Sequence, residues 1–190
     1  QFFLNVMGQV WECLCATYLL FGIGAVFGVW RLCRSLKDRK EVCLYLFPLV
    51  SVLLSMAVTA VFFYASPLTQ AGGKTRIDTL FYGRYNECFM GILLLLGMGM
   101  FLEETKGRFK IWLGTAMVCL LLTVLMISRI GTPQDKYLNV VSATGIHIFH
   151  WLGEFGVGKC AVIALAGAAV FGGLLRIRLP YGLSLIHISE

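Results

Sequence analysis

Charge is what this chain has least of. Asp, Glu, Lys and Arg together make up 14% of its 190 residues, against about 25% in an ordinary soluble domain. Recognisable chemistry is equally sparse. The seven cysteines show no paired zinc spacing, and neither a nucleophile triad nor a nucleic-acid module can be found. Gly22, Gly24 and Gly28 lie inside an apolar run, without the strand and turn that a dinucleotide fingerprint needs. The amino end, where Gln1 leads into Phe2, Phe3 and Leu4, has no basic region or small-residue cleavage site of a signal peptide. These absences exclude a soluble globular domain and a nucleic-acid partner. What is abundant is apolar: 58% of residues are hydrophobic and the mean hydropathy is +0.81. The expected fold is therefore all-α, a polytopic transmembrane helix bundle in contact with membrane lipid.

A helix needs about 20 residues to cross roughly 30 Å of hydrocarbon. Five apolar runs approach that length, at about residues 10–30, 42–65, 82–102, 111–128 and 159–175. Their middles are mostly free of ionisable groups, with Pro48 early in the second. The start reads as truncated, and LSLIHISE at the end resembles the translated read-through of a sequencing adapter. Residues 1–182 are accordingly expected to be a partial transmembrane domain, and 183–190 a non-native tail.

The net charge of +6 speaks of topology. Arg31, Arg34, Lys37, Arg39, Lys40, Lys106, Arg108, Lys110, Arg176 and Arg178 fall on one side of the five spans. Lys74, Arg76, Arg84, Arg129, Lys136 and Lys159 are spread over two longer connections on the other. Positive residues are retained in the cytoplasm, so the amino end is expected outside and the carboxyl end inside.

Small residues recur at helix-packing spacing, Gly24 with Gly28 in the first run and Ala164, Ala168 and Gly172 in the fifth. Such rows let helices approach closely. We read them as contacts within one bundle and infer no oligomer. The cysteines act as small apolar residues, although Cys13, Cys88 and Cys160 fall near the proposed outer ends, where a disulfide is open.

The most informative segment is SPLTQAGGKTRIDTLFYGRYNE, residues 66–87. The uncharged run after it, Cys88 to Leu102, is too short to span, so the third helix is expected to begin near Tyr82 and to carry Arg84 and Glu87 at headgroup depth. Two readings stand side by side. Either Arg84 pairs with Glu87 while Tyr82 and Tyr85 anchor the interface, or Arg84 offers its fork of donors to a phosphate while Tyr82, Tyr85 and Glu87 line a bound head group.

YGRYNE at residues 82–87 resembles a YGRY element in the carboxyl-terminal membrane region of bacterial polytopic proteins that look like C-type glycosyltransferases. The resemblance implies a location in the bacterial cytoplasmic membrane and transfer of sugar from a polyprenyl-phosphate donor at the extracytoplasmic face. It also implies acidic catalytic residues in a large external loop that this sequence does not contain, so the catalytic carboxylate is expected outside the chain.

The fourth connection holds ATGIHIFHWLGEFGVGK, with His147, His150 and Glu154 at one-face helical spacing. A divalent metal there competes with an amphipathic helix lying in the interface. We expect no metal or other cofactor. GEFGVGKC, residues 153–160, nearly matches a phosphate loop, but Cys160 stands where magnesium needs a hydroxyl. What remains is a helix start at Gly156 and Gly158 whose dipole, with Lys159, favours an anion. Arg84 and Lys159 are thus the candidate phosphate-binding pair. Glu12 either joins them as a counter-ion or stands in interfacial water, and Glu103 and Glu104 form a solvated edge. A polytopic transporter or lipid-handling permease, and a noncatalytic membrane subunit, are the competing readings.

Overall fold

A computed structural model describes residues 2–64, 70–71, 74–76, 86–102, 107–130, 136–137 and 156–176. The described chain contains six helices: α1 (Phe2–Ala16), α2 (Leu20–Arg34), α3 (Arg39–Tyr64), α4 (Glu87–Leu102), α5 (Arg108–Ile130) and α6 (Val157–Arg176). Three very short strands, β1 (Gln70–Ala71), β2 (Lys74–Arg76) and β3 (Lys136–Tyr137), were not expected of an all-α chain. β1 pairs antiparallel with β2, and β2 pairs parallel with β3. Because β2 and β3 belong to the two long connections, that pairing brings both connections to one end of the bundle.

The helices are inside out relative to a soluble protein. On α3, Leu53, Leu54, Val58, Val61 and Phe62 are 61–67% exposed, while Asn5, Gln9, Glu12, Thr59, Asn86, Thr115 and Thr123 are buried. In water an exposed apolar surface of this extent costs free energy at every methyl, whereas in hydrocarbon it costs nothing and buried polar groups find their partners inside. α3 and α5 are by themselves long and apolar enough to cross a membrane. The chain is thus built as an integral membrane protein. α4 and α6 carry shorter apolar stretches, Glu87–Gly99 and Val157–Gly173.

The first expected span, residues 10–30, is corrected. It is not one helix but two, α1 and α2, bent by 108° at a break over Thr17, Tyr18 and Leu19. Tyr18 (φ 50°) and Leu19 (φ 69°) both adopt left-handed backbone, which costs a non-glycine residue roughly 1–2 kcal/mol. Local hydrogen bonds offset the strain. Leu19 N–H donates to the Leu14 carbonyl (2.8 Å) and Tyr18 N–H to that of Cys15 (3.3 Å), the paired closure of a Schellman cap with Tyr18 in place of glycine. The Thr17 hydroxyl donates to the Cys13 carbonyl (2.7 Å) and accepts from Phe21 N–H (3.0 Å), joining the last turn of α1 to the first of α2. α1 and α2 form a bent pair, a broken span or a re-entrant loop, so among the described residues two helices are long and apolar enough to cross a membrane, or three spans if this pair counts as one.

The α2–α3 turn is conventionally capped: Ser35 N–H closes on the Arg31 carbonyl (2.9 Å), and the Asp38 carboxylate accepts from Lys40 N–H (2.9 Å) at the start of α3. Arg34 lies over the Trp30 ring, 4.2 Å from its centroid, holding part of the basic cluster against the end of α2.

α1 lies at the centre, packed against α2, α3, α5 and α6, with Trp11, Leu14 and Cys15 in the core. The small residues act within the bundle, as expected. A Cβ on Gly24 would stand 1.8 Å from the Leu93 carbonyl oxygen, and one on Gly97 would stand 2.3 Å from that of Leu20. The α2 and α4 backbones therefore touch directly. In α6, Ala164 and Ala168 are buried. Gly24→Ala is expected to lower stability in detergent by about 1–3 kcal/mol through overpacking. Gly91→Ala, with nothing within 4 Å of the new methyl, should be neutral or slightly stabilising. Thermal unfolding of the two variants checks the contrast.

Candidate functional site: a buried polar face on the first helix

Asn5, Gln9 and Glu12 recur at i, i+4 and i+7, so they share one face of α1. All three are essentially inaccessible, at 0–1% exposure, and Asn86 beside them is also fully buried. Asn86 Nδ2 donates to Gln9 Oε1 at 3.0 Å, and Gln9 Nε2 donates to the Met56 carbonyl at 3.4 Å. Gln9 therefore ties α1 both to α3 and to the start of α4. Two residues on, Trp11 Nε1 donates to the Thr123 hydroxyl (2.9 Å), which itself donates to the Cys119 carbonyl (2.7 Å). This pair fastens α1 to α5.

Glu12 is the centre of the cluster electrostatically. Among the described residues its Oε2 accepts only the weak thiol donor of Cys13, at 3.7 Å, and its Oε1 has no hydrogen-bond partner. Asn86 Oδ1 is likewise unpartnered among them. Glu87 is near enough to act on Glu12 through its charge. Of the two readings of Glu12, counter-ion or group in interfacial water, the second is corrected: the side chain is fully buried, enclosed by protein because α1 is packed against its neighbours on several sides. The spans are accordingly not clean of ionisable groups.

Among the residues singled out from the sequence, Glu87 is exposed in the first turn of α4 and Lys159 is exposed in the first turn of α6. Tyr82, Arg84 and Tyr85 lie outside the described residues, as do His147, His150 and Glu154. At the start of α6, Cys160 N–H bonds the Gly156 carbonyl (3.0 Å), and a Cβ on Gly156 would meet the aliphatic stem of Lys159 at 3.5 Å. The residues the motif reading overlooked are Asn5, Gln9 and Asn86. Their spacing was a readable signal, since three polar residues on one face of an otherwise apolar helix mark a polar interior, but counting the first span from Val10 left two of them outside it.

The seven cysteines are all free; Cys13, Cys15, Cys119 and Cys160 are buried, whereas Cys33, Cys43 and Cys88 are exposed. Cys15 of α1 and Cys119 of α5 are buried in the same core cluster. Among the described residues no three His, Cys, Asp or Glu side chains come together as a metal site.

Beside the polar cluster runs a groove of about 580 Å³. Val10 of α1 and Met56 of α3 stand at the Gln9 contact, and Leu14, Val26, Leu53 and Leu93 continue it. Among the described residues Thr115 is the only hydroxyl-bearing one lining the groove, and its hydroxyl is turned onto the Ile111 carbonyl (2.9 Å). The groove thus offers dispersion contacts and almost nothing polar, and Met56 links it to the amide face above.

Comparison with protein-family models, curated proteins and solved structures finds no match for this chain.

Asn86→Leu is expected to cost about 1–3 kcal/mol, because Gln9 Oε1 loses its donor inside the bundle. Glu87→Gln, one residue on but exposed, should stay within about 0.5 kcal/mol of wild type. Denaturation of both variants in the same detergent distinguishes a structural amide from a surface one.

Proposed function

We propose that this chain is part of a membrane-embedded, glycosyltransferase-like protein that handles a lipid-phosphate-linked sugar at the extracytoplasmic face of a bacterial cytoplasmic membrane. The observation that carries this reading is the junction of an apolar groove with a buried amide and carboxyl cluster through Gln9 and Met56. A lipid bearing a polar head has that same division. Its isoprenoid chain matches the groove, whose walls supply dispersion contacts without a desolvation cost. The polar head matches the cluster, and Asn86, the fifth residue of YGRYNE, belongs to that cluster by its bond to Gln9.

In this reading Arg84 and Lys159 bind the phosphates, Arg84 through paired guanidinium hydrogen bonds. Tyr82, Tyr85 and Glu87 line the sugar. The amino end is outside and the carboxyl end inside, as positive charge orients the spans. Transfer requires a carboxylate to activate the acceptor hydroxyl, contributed from outside these residues, and cations to stabilise the phosphate leaving group as charge builds on it. No metal or other cofactor is invoked.

A transporter or lipid-handling permease is the second reading, favoured by the break between α1 and α2 and by a buried carboxyl one turn before it. Discontinuous helices with polar groups at the break are the usual form of a transport site.

Arg84→Ala in the complete protein is expected to abolish donor binding or turnover while membrane expression persists, read by binding of a polyprenyl-phosphate sugar and by glycosyl transfer. Wild-type activity in that variant rejects the phosphate role. Substrate flux in proteoliposomes without glycosyl transfer establishes the transport reading instead.

A further inference from the structure

The polar face of α1 ends in two acceptor oxygens that the protein leaves facing its own interior. Glu12 Oε1 and Asn86 Oδ1, both on fully buried side chains, have no hydrogen-bond partner among the described residues. Gln9, held by Asn86 Nδ2, lies one turn before Glu12 on the same face of α1, and its Oε1 keeps a second lone pair. Leaving a carboxylate in such a place without compensation costs several kcal/mol, and an unpaired amide oxygen costs about 1–3 kcal/mol. A group that supplies positive charge and accepts several oxygen ligands removes both penalties together.

We propose that Glu12, Asn86 and Gln9 form a binding site for one monovalent alkali cation.

The chemistry of the donors sets the class. All three offer hard oxygens, which suit alkali and alkaline-earth ions rather than soft metals. A single buried carboxylate balances one positive charge, so a monovalent ion leaves the site neutral, whereas a divalent ion leaves an excess charge in the bundle. The surroundings favour a cation of either size. Glu87 adds negative potential, and the groups acting on Glu12 among the described residues are that carboxyl and the Cys13 thiol, neither of them a cation. Glu12 also lies about one turn before the end of α1 at Ala16, where the helix dipole is negative. The broken α1–α2 geometry resembles the discontinuous helices whose C-terminal ends hold coupling ions in transporters. Cation binding here is independent of the lipid reading and survives its failure.

The test is thermal unfolding of the purified chain in detergent with sodium, potassium or N-methylglucamine chloride at one ionic strength, together with equilibrium binding of radioactive sodium. Sodium or potassium at about ten times its Kd is expected to raise Tm by about 3–6 °C over N-methylglucamine. Binding should saturate at about one ion per chain. Glu12→Gln should lose both effects, and Asn86→Asp, which adds a carboxylate, should tighten binding. Equal Tm in the three salts with no bound sodium overturns the proposal and assigns the two oxygens to water. A cation effect that persists in Glu12→Gln also overturns it. So does a wild type indifferent to salt whose stability collapses in Arg84→Gln, since that result gives the counter-charge to the chain itself. If Glu12→Gln fails to fold, the three-salt comparison on the wild type still decides.

Discussion

Everything in this bundle is arranged around a helix that does not belong in lipid. α1 carries Asn5, Gln9 and Glu12 on one face, and none of these side chains tolerates hydrocarbon without a partner. The workable arrangement is to enclose it. Met56 of α3, Asn86 just before α4 and Thr123 of α5 meet that need, each bonded to a residue of α1. The same contacts that satisfy α1 fix the neighbours relative to it.

The break after α1 follows from that placement. A continuous helix from Phe2 to Arg34 would carry the polar face along a straight axis; the left-handed pair Tyr18 and Leu19 turns the chain through 108° instead. α2 then meets α4 backbone to backbone at Gly24 and Gly97. Contact at that range gains dispersion energy that lipid tails do not supply, because it needs two surfaces without side chains facing each other. The groove between α1, α2, α3 and α5 is the space left where such contact stops. An apolar hollow beside an amide cluster is thus a product of the same packing that buries Glu12.

Much of the fold was legible in the sequence. The second, fourth and fifth runs became the helices α3, α5 and α6 with boundaries a few residues away, α3 and α5 long and apolar enough to span and α6 with a shorter apolar stretch. The intramolecular role of Gly24, Ala164 and Ala168 was legible too: small residues at one-face spacing signal close approach wherever helices are many. The site was less so. Arg84, Tyr82 and Tyr85 drew attention by their chemistry, and they lie outside the described residues. Gln9 and Asn86 did not, because their importance lies in meeting each other across 77 positions of chain. A neutral amide carries no local sign of its partner.

Composition alone determined the solvent: with 58% hydrophobic and 14% charged residues, the chain had to turn its apolar faces outward to lipid and form its hydrogen bonds within helices. The direction of the first segment and the fate of its carboxyl were decided only in three dimensions. Hydropathy averages over a window and cannot see that Thr17 bonds both Cys13 and Phe21, nor that Trp11 finds Thr123 on a distant helix. Local energies set which segments are helical, whereas partners remote in sequence set which of their faces is enclosed. Glu12 is polar wherever it stands; the tertiary fold made it buried.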